Sequence, residues 1–147
     1  TMNSRNWQNF YLNGKKAGEI AIDAGIAGDY GVPVIMVSGD SALCKEAGEW
    51  LPEAVKVQVK EGLDLEGGIL QPPTEARTRI RKGAADAITR IKEISPLKLS
   101  HPITMRLELV SRGTLPLARE GLQIIDGRTY QVEADSVEKA LQKLIQM

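Results

Sequence analysis

Apolar and polar residues alternate most clearly over residues 103–109. Ile103, Met105, Leu107 and Leu109 are separated by Thr104, Arg106 and Glu108, the two-residue period of a strand with one buried face. Val55, Val57 and Val59 alternate likewise with Lys56, Gln58 and Lys60, predicting a strand that ends at Glu61-Gly62. The run Val32-Pro33-Val34-Ile35-Met36-Val37 is apolar throughout and closes on Ser38-Gly39-Asp40, which predicts a strand buried on both faces. Trp7-Gln8-Asn9-Phe10-Tyr11-Leu12 stops at Asn13-Gly14 and reads as a strand entering a tight turn. Gln123-Ile124-Ile125 and Thr129-Tyr130-Gln131-Val132 flank Asp126-Gly127-Arg128, a hairpin in which Asp-Gly would supply positive φ.

Four segments carry the helical period instead. From Ala17, apolar residues recur as Ile20, Ala24 and Ala27, with Gly18, Gly25 and Gly28 permitting close packing and an end near Gly31. Asp40 or Ser41 can cap a helix through Leu43, Ala47, Trp50 and Leu51, stopped by Pro52. Thr74 can cap a long helix with Ala76, Ile80, Ala84, Ala87, Ile88 and Ile91 on one stripe, ended by Ser95-Pro96. Asp135 and Glu138 resemble a capping box ahead of Val137, Ala140, Leu141 and Leu144. Strand, helix, strand, helix, strand is α/β organisation, and the later elements are α+β. The expected fold is therefore α/β: a partial three-layer sheet unit over residues 1–70, followed by a small α+β unit over residues 71–147. Residues 62–73, with three glycines and two prolines, are expected to be the linker.

At 147 residues and 42% hydrophobic, the chain can bury a core. Its 19 basic and 19 acidic residues cancel, which removes the global field that would attract nucleic acid or an anionic membrane. The polar start and the lack of a long apolar run imply a cytoplasmic protein with no membrane or nucleic-acid partner. One histidine and one cysteine make a poor zinc site within this chain alone.

No Walker sequence, dinucleotide glycine fingerprint, Cys-x-x-Cys pair or Gly-x-Ser-x-Gly elbow is present. Cys44, in the first turns of a helix, suits either a dipole-activated nucleophile or core packing, and packing is favoured because no His lies nearby in sequence. His101, between Ser100 and Pro102, reads as a surface loop residue. The cations Arg77, Arg79, Arg81, Lys82, Arg90 and Lys92 read as a solvated face, interrupted by acids and without aromatic interleaving. Asp40 follows a strand, where open α/β sheets place ligand-contacting residues, and helix capping explains it equally well. Glu19 is an acid in a segment rich in Ala, Gly and Ile. It is either a carboxylate held for a cation or a first-turn glutamate favoured by the helix dipole.

Asn13-Gly14-Lys15-Lys16-Ala17-Gly18-Glu19-Ile20, Ala27-Gly28-Asp29-Tyr30-Gly31-Val32-Pro33-Val34 and Val37-Ser38-Gly39-Asp40 occur in order. They resemble the carboxy-terminal half of the zinc-dependent dipeptide-transport D-aminopeptidase family. Lys45-Glu46-Ala47, the Val-Lys-Glu-Gly of residues 59–62 and the Pro-x-x-Ala of residues 73–76 continue the resemblance. It implies a metal-dependent, often ring-shaped aminopeptidase with two zinc ions per complete site, which removes amino-terminal D-residues from short peptides. Glu19 matches a family metal ligand. Thr1 matches the Ser or Thr that follows the family's proposed catalytic histidine. The family's amino-terminal Ser-x-Asp-x-Glu-Gly motif and its histidine ligands have no counterpart in this chain.

The resemblance implies a subunit that is completed by the amino-terminal half as a separate chain. Two alternatives stand beside it: a processed amidohydrolase with Thr1 as amino-terminal nucleophile and its α-amine as base, and a non-catalytic, oligomer-forming fragment.

Overall fold

The computed structural model of the chain describes residues 2–3, 5–64 and 67–145. Its elements are β1 (Trp7–Leu12), β2 (Lys15–Lys16), α1 (Glu19–Asp29), β3 (Met36–Asp40), α2 (Ser41–Trp50) and β4 (Val55–Gly62). They continue with β5 (Gly68–Leu70), α3 (Pro73–Thr89), β6 (Ile103–Leu109), β7 (Leu122–Ile124), β8 (Thr129–Ala134) and α4 (Val137–Ile145). The mixed α/β class expected from the sequence is the class observed.

The compact units are not the linear halves 1–70 and 71–147. One comprises Thr1–Tyr30 with Lys98–Met147, and the other is Gly31–Leu97. The reason is β1, which periodicity alone placed with β3 and β4. It pairs antiparallel with β6, matching Phe10 to Leu107 and Leu12 to Met105. Apolar spacing identifies a strand but not its partner, and here the partner lies far along the chain.

In the first unit the strand order is β2-β1-β6-β8-β7. Strict alternation on β6 buries Ile103, Met105, Leu107 and Leu109 on one face. Phe10, Leu12 and Val132 join them, and α4 covers this core with Val137, Ala140 and Leu144. Each such large side chain contributes about 1.5–3 kcal/mol of burial. Helix α1 approaches α4 closely at Gly25, where a Cβ would meet Val137 Cγ2 at 3.1 Å and Leu99 Cδ1 at 3.3 Å. Gly31, at φ 72°, follows the helix in the left-handed conformation that favours glycine.

Helix α4 starts differently from the expected capping box. Ser136 Oγ accepts from the Lys139 amide at 3.2 Å, and Asp29 Oδ2 accepts from the Val137 amide at 2.7 Å. Asp135 instead lies 3.5 Å from Lys139 Nζ. The β7–β8 hairpin forms as expected, but Gly127 is not among the glycines with positive φ. The Asp126 carboxylate closes the loop by accepting from the Arg128 amide at 2.7 Å.

The second unit contains a sheet of order β3-β4-β5, with β3 and β4 parallel. Strand β3 begins later than its apolar run suggested, and it is not buried on both faces. Val32 is 54% exposed, whereas Val37 is buried. Pro33 has no N–H to donate to a ladder, and among the described residues β3 pairs on one side only, with β4. The expected linker contains β5, antiparallel to β4 through Glu61 and Ile69. Three residues, one of them glycine, carry too little periodicity to announce a strand.

Helix α3 begins at Pro73, with Pro72 at its N-cap and no side-chain cap, so Thr74 lies inside the first turn. Its buried residues are Gly83 and Ala87, while Ile80, Ile88 and Ile91 are exposed. The packing face therefore shares Ala87 with the expected stripe, while the stripe's isoleucines turn outward. A Cβ on Gly83 would overlap Val57 Cγ2, so α3 meets β4 through the missing side chain of a glycine. No helix among the described residues is long and apolar enough to cross a membrane.

Candidate functional site

Glu19 owes its position to the hairpin before it. Asn13 and Gly14 take φ of 48° and 79°, turning β1 into β2 with Leu12 opposite Lys15. Asparagine and glycine tolerate this left-handed conformation, and the Asn13 side chain also anchors the turn. Its Oδ1 accepts from the Thr104 amide at 2.8 Å, and its Nδ2 donates to the Ser100 carbonyl at 2.7 Å. Ala17, buried, donates its amide to Phe10 O at 3.0 Å. Gly18 is extended, at φ −111°, and serves as N-cap, so Glu19 opens α1. The helix is fixed behind it by buried Ala21, Ile22, Ala24 and Gly25.

Glu19 itself is exposed, on a rigid element, at the positive end of a helix dipole. A carboxylate there is accessible to a cation without being desolvated in advance. Among the described residues, no group of three or more His, Cys, Asp or Glu side chains could hold a metal ion. A structural or catalytic zinc takes at least three protein ligands. The described residues therefore do not form a zinc site by themselves, although Glu19 offers one oxygen donor. Thr1 lies outside the described residues.

The other candidates resolve into local roles. Asp40 Oδ1 accepts from the Leu43 amide at 2.8 Å and caps α2. Cys44 is half-buried; burial pushes its thiol above the ordinary value, the Asp40 charge adds to this, and Lys56 opposes it. That is the reverse of nucleophile activation. His101 is exposed at the entrance to β6. Arg79 pairs with Glu75 at 2.6 Å and Arg90 with Glu93 at 3.3 Å, both exposed pairs on or beside α3.

Two features were not legible in the sequence. The Asn13 anchor spans 87–91 residues along the chain, and no local pattern signals it. An apolar groove of about 590 Å³ is lined by Trp7, Leu109, Leu117, Tyr130 and Leu144, which are scattered over both ends of the chain.

A sequence profile of the D-aminopeptidase peptidase family matches residues 1–146. The chain belongs to the D-aminopeptidase family. A curated relative, the D-aminopeptidase of Bacillus subtilis (strain 168), is 29% identical over 143 residues, covering 95% of this chain and 52% of the relative. A solved structure, described as the Zn-dependent D-aminopeptidase DppA from Bacillus subtilis, a self-compartmentalizing protease, superposes with a TM-score of 0.83. It is 27% identical, over 93% of this chain and 51% of that one. This D-aminopeptidase-family chain thus spans about half the length of the relatives it matches. The family resemblance and the α/β fold expected from the sequence both agree with these findings.

Proposed function

We propose that this chain is the Glu19-bearing portion of a zinc-dependent D-aminopeptidase that hydrolyses short peptides with amino-terminal D-residues. The observation that carries this reading is the family match across residues 1–146, joined to a fold match that extends over 93% of the chain. Zinc, when bound, lowers the pKa of a coordinated water and polarises a carbonyl. The part of this chain is to hold one carboxylate oxygen, that of Glu19, on a helix start braced by the Asn13 turn. The remaining ligands come from sequence outside residues 1–147, in the half of the family's length that these residues do not span. Two zinc ions occupy the completed site, and the completed enzyme is an oligomer, as the self-compartmentalizing description of the solved relative supports.

Copurification with intact-mass measurement tests the arrangement. The expected result is that the family's amino-terminal half, whether joined to these residues in one polypeptide or added as another, switches on chelator-sensitive release of D-alanine from a D-alanyl peptide. A homogeneous 16.0 kDa species that binds no zinc and remains inactive with the amino-terminal half would overturn it. That outcome would favour the alternative of a non-catalytic, oligomer-forming domain.

A further inference from the structure

We infer that Asn13 is a positioning residue of the metal centre: its carboxamide sets where the Glu19 carboxylate sits, acting through the backbone rather than as a ligand. The inference deepens the reading of Glu19 as a zinc ligand and rests on it. Regular pairing between β1 and β6 ends at Leu12 and Met105. The chain then reverses at Asn13, whose φ is 48°. One more pair forms all the same. The Asn13 amide donates to the Thr104 carbonyl at 2.9 Å, and the Thr104 amide donates to Asn13 Oδ1 at 2.8 Å. Two residues opposite each other in an antiparallel ladder ordinarily exchange both bonds through their backbones. Here a side-chain oxygen accepts in place of a backbone carbonyl, so the ladder reaches one residue past the strand.

The other end of the carboxamide is also committed. Asn13 Nδ2 donates to the Ser100 carbonyl at 2.7 Å and lies 3.3 Å from Ser100 Oγ. The turn is thereby tied both to β6, which lies between β1 and β8, and to the segment that leads into β6. Ser100 is exposed, so this double tether buries little apolar surface, and what it fixes is the segment that follows. Beyond the turn, the Ala17 amide donates to the Phe10 carbonyl at 3.0 Å. Gly18 alone then separates Ala17 from Glu19, the first residue of α1. Residues 14–17 are therefore held at both ends, and the helix start inherits that register. Groups that hold a metal ligand in place contribute to metal affinity although they do not bind the ion themselves.

Zinc affinity, measured by competition with a chromophoric chelator well below the melting temperature, tests this on residues 1–147 together with the family's amino-terminal half. Asn13→Gly keeps the left-handed conformation accessible and removes only the tether. Asn13→Asp keeps an acceptor for the Thr104 amide, loses the donor to Ser100, and carries the comparison if the glycine variant does not fold. Val57→Ala, at a buried position of the other compact unit, lowers stability through packing alone. The expected result is zinc affinity weakened about 10-fold or more in Asn13→Gly and less in Asn13→Asp. Val57→Ala should keep wild-type affinity although its melting temperature falls. Wild-type affinity in the Asn13 variants, with affinity lost in Glu19→Gln, overturns the positioning role alone. An equal loss in Val57→Ala overturns it too, because affinity would then follow global stability. Wild-type affinity in Glu19→Gln overturns the reading beneath it.

Discussion

Gly83 offers a sharp test of how α3 is held on its sheet, because two physical effects of opposite sign meet there. Replacing it with alanine in a helix interior should stabilise by about 0.8–1 kcal/mol through backbone propensity. The new Cβ, however, would overlap Val57 Cγ2, with the Met36 methyl 3.5 Å away. Val57 is 8% exposed on β4. Its β-branched side chain is stiff at χ1 and cannot swing aside as a long chain could. Overpacking of this kind costs about 1–3 kcal/mol, so the clash wins on balance and Gly83→Ala should lose about 1 kcal/mol net. Gly48, exposed in α2, has nothing within 4 Å of an added Cβ. Gly48→Ala should therefore gain about 0.5–1 kcal/mol. Melting followed by circular dichroism should show opposite shifts of about 2–8 °C. Adding Val57→Ala to Gly83→Ala should recover part of the loss, a favourable coupling of at least about 0.5 kcal/mol in the double-mutant cycle. If Gly83→Ala raises the melting temperature as Gly48→Ala does, the described packing of α3 on β4 is wrong.

Asp40→Ala removes the cap that receives the Leu43 amide and should cost about 1 kcal/mol in denaturant unfolding, with Asp40→Asn retaining most of it. The Asp126 carboxyl is held below its ordinary range, first by the Arg128 amide and then by the Thr129 side chain. A depressed folded pKa gives stability that is present above the unfolded value and lost as pH falls through the folded one. Asp126→Asn should accordingly flatten the stability profile in that acid window, measured by melting at stepped pH. Cys44, its thiol raised by burial and by Asp40, should alkylate at pH 8 more slowly than free cysteine. A rate above that of the free amino acid would contradict the described environment.

Strand β6 and helix α4 were legible because each carries several apolar residues at one unbroken period, which burial then enforces. The apolar run at residues 32–37 misled for the converse reason. Hydrophobicity without alternation does not say how many neighbours a strand has, and among the described residues β3 pairs on one side only. Strand β1 was visible as an element, but its antiparallel pairing with β6 depends on a match nearly 100 residues away. The role of Gly83 was hidden by Ile80 and Ile88, whose helical spacing suggested an apolar face that the structure leaves exposed. At the candidate site, the sequence pointed to Glu19 and to the Asn13-Gly14 turn. It could not show that the Asn13 amide ties this turn to Ser100 and Thr104, because hydrogen bonds across the chain leave no local pattern.

The most direct test of the proposed function is zinc content measured together with D-alanine release from a D-alanyl peptide, on wild type and Glu19→Gln, each assembled with the amino-terminal half. The account predicts zinc-bound, chelator-sensitive wild-type activity, and a Glu19→Gln assembly that folds normally but loses about 10–100-fold or more in metal affinity and activity. Unchanged zinc content in Glu19→Gln, or release of D-alanine that persists after chelation, would contradict it.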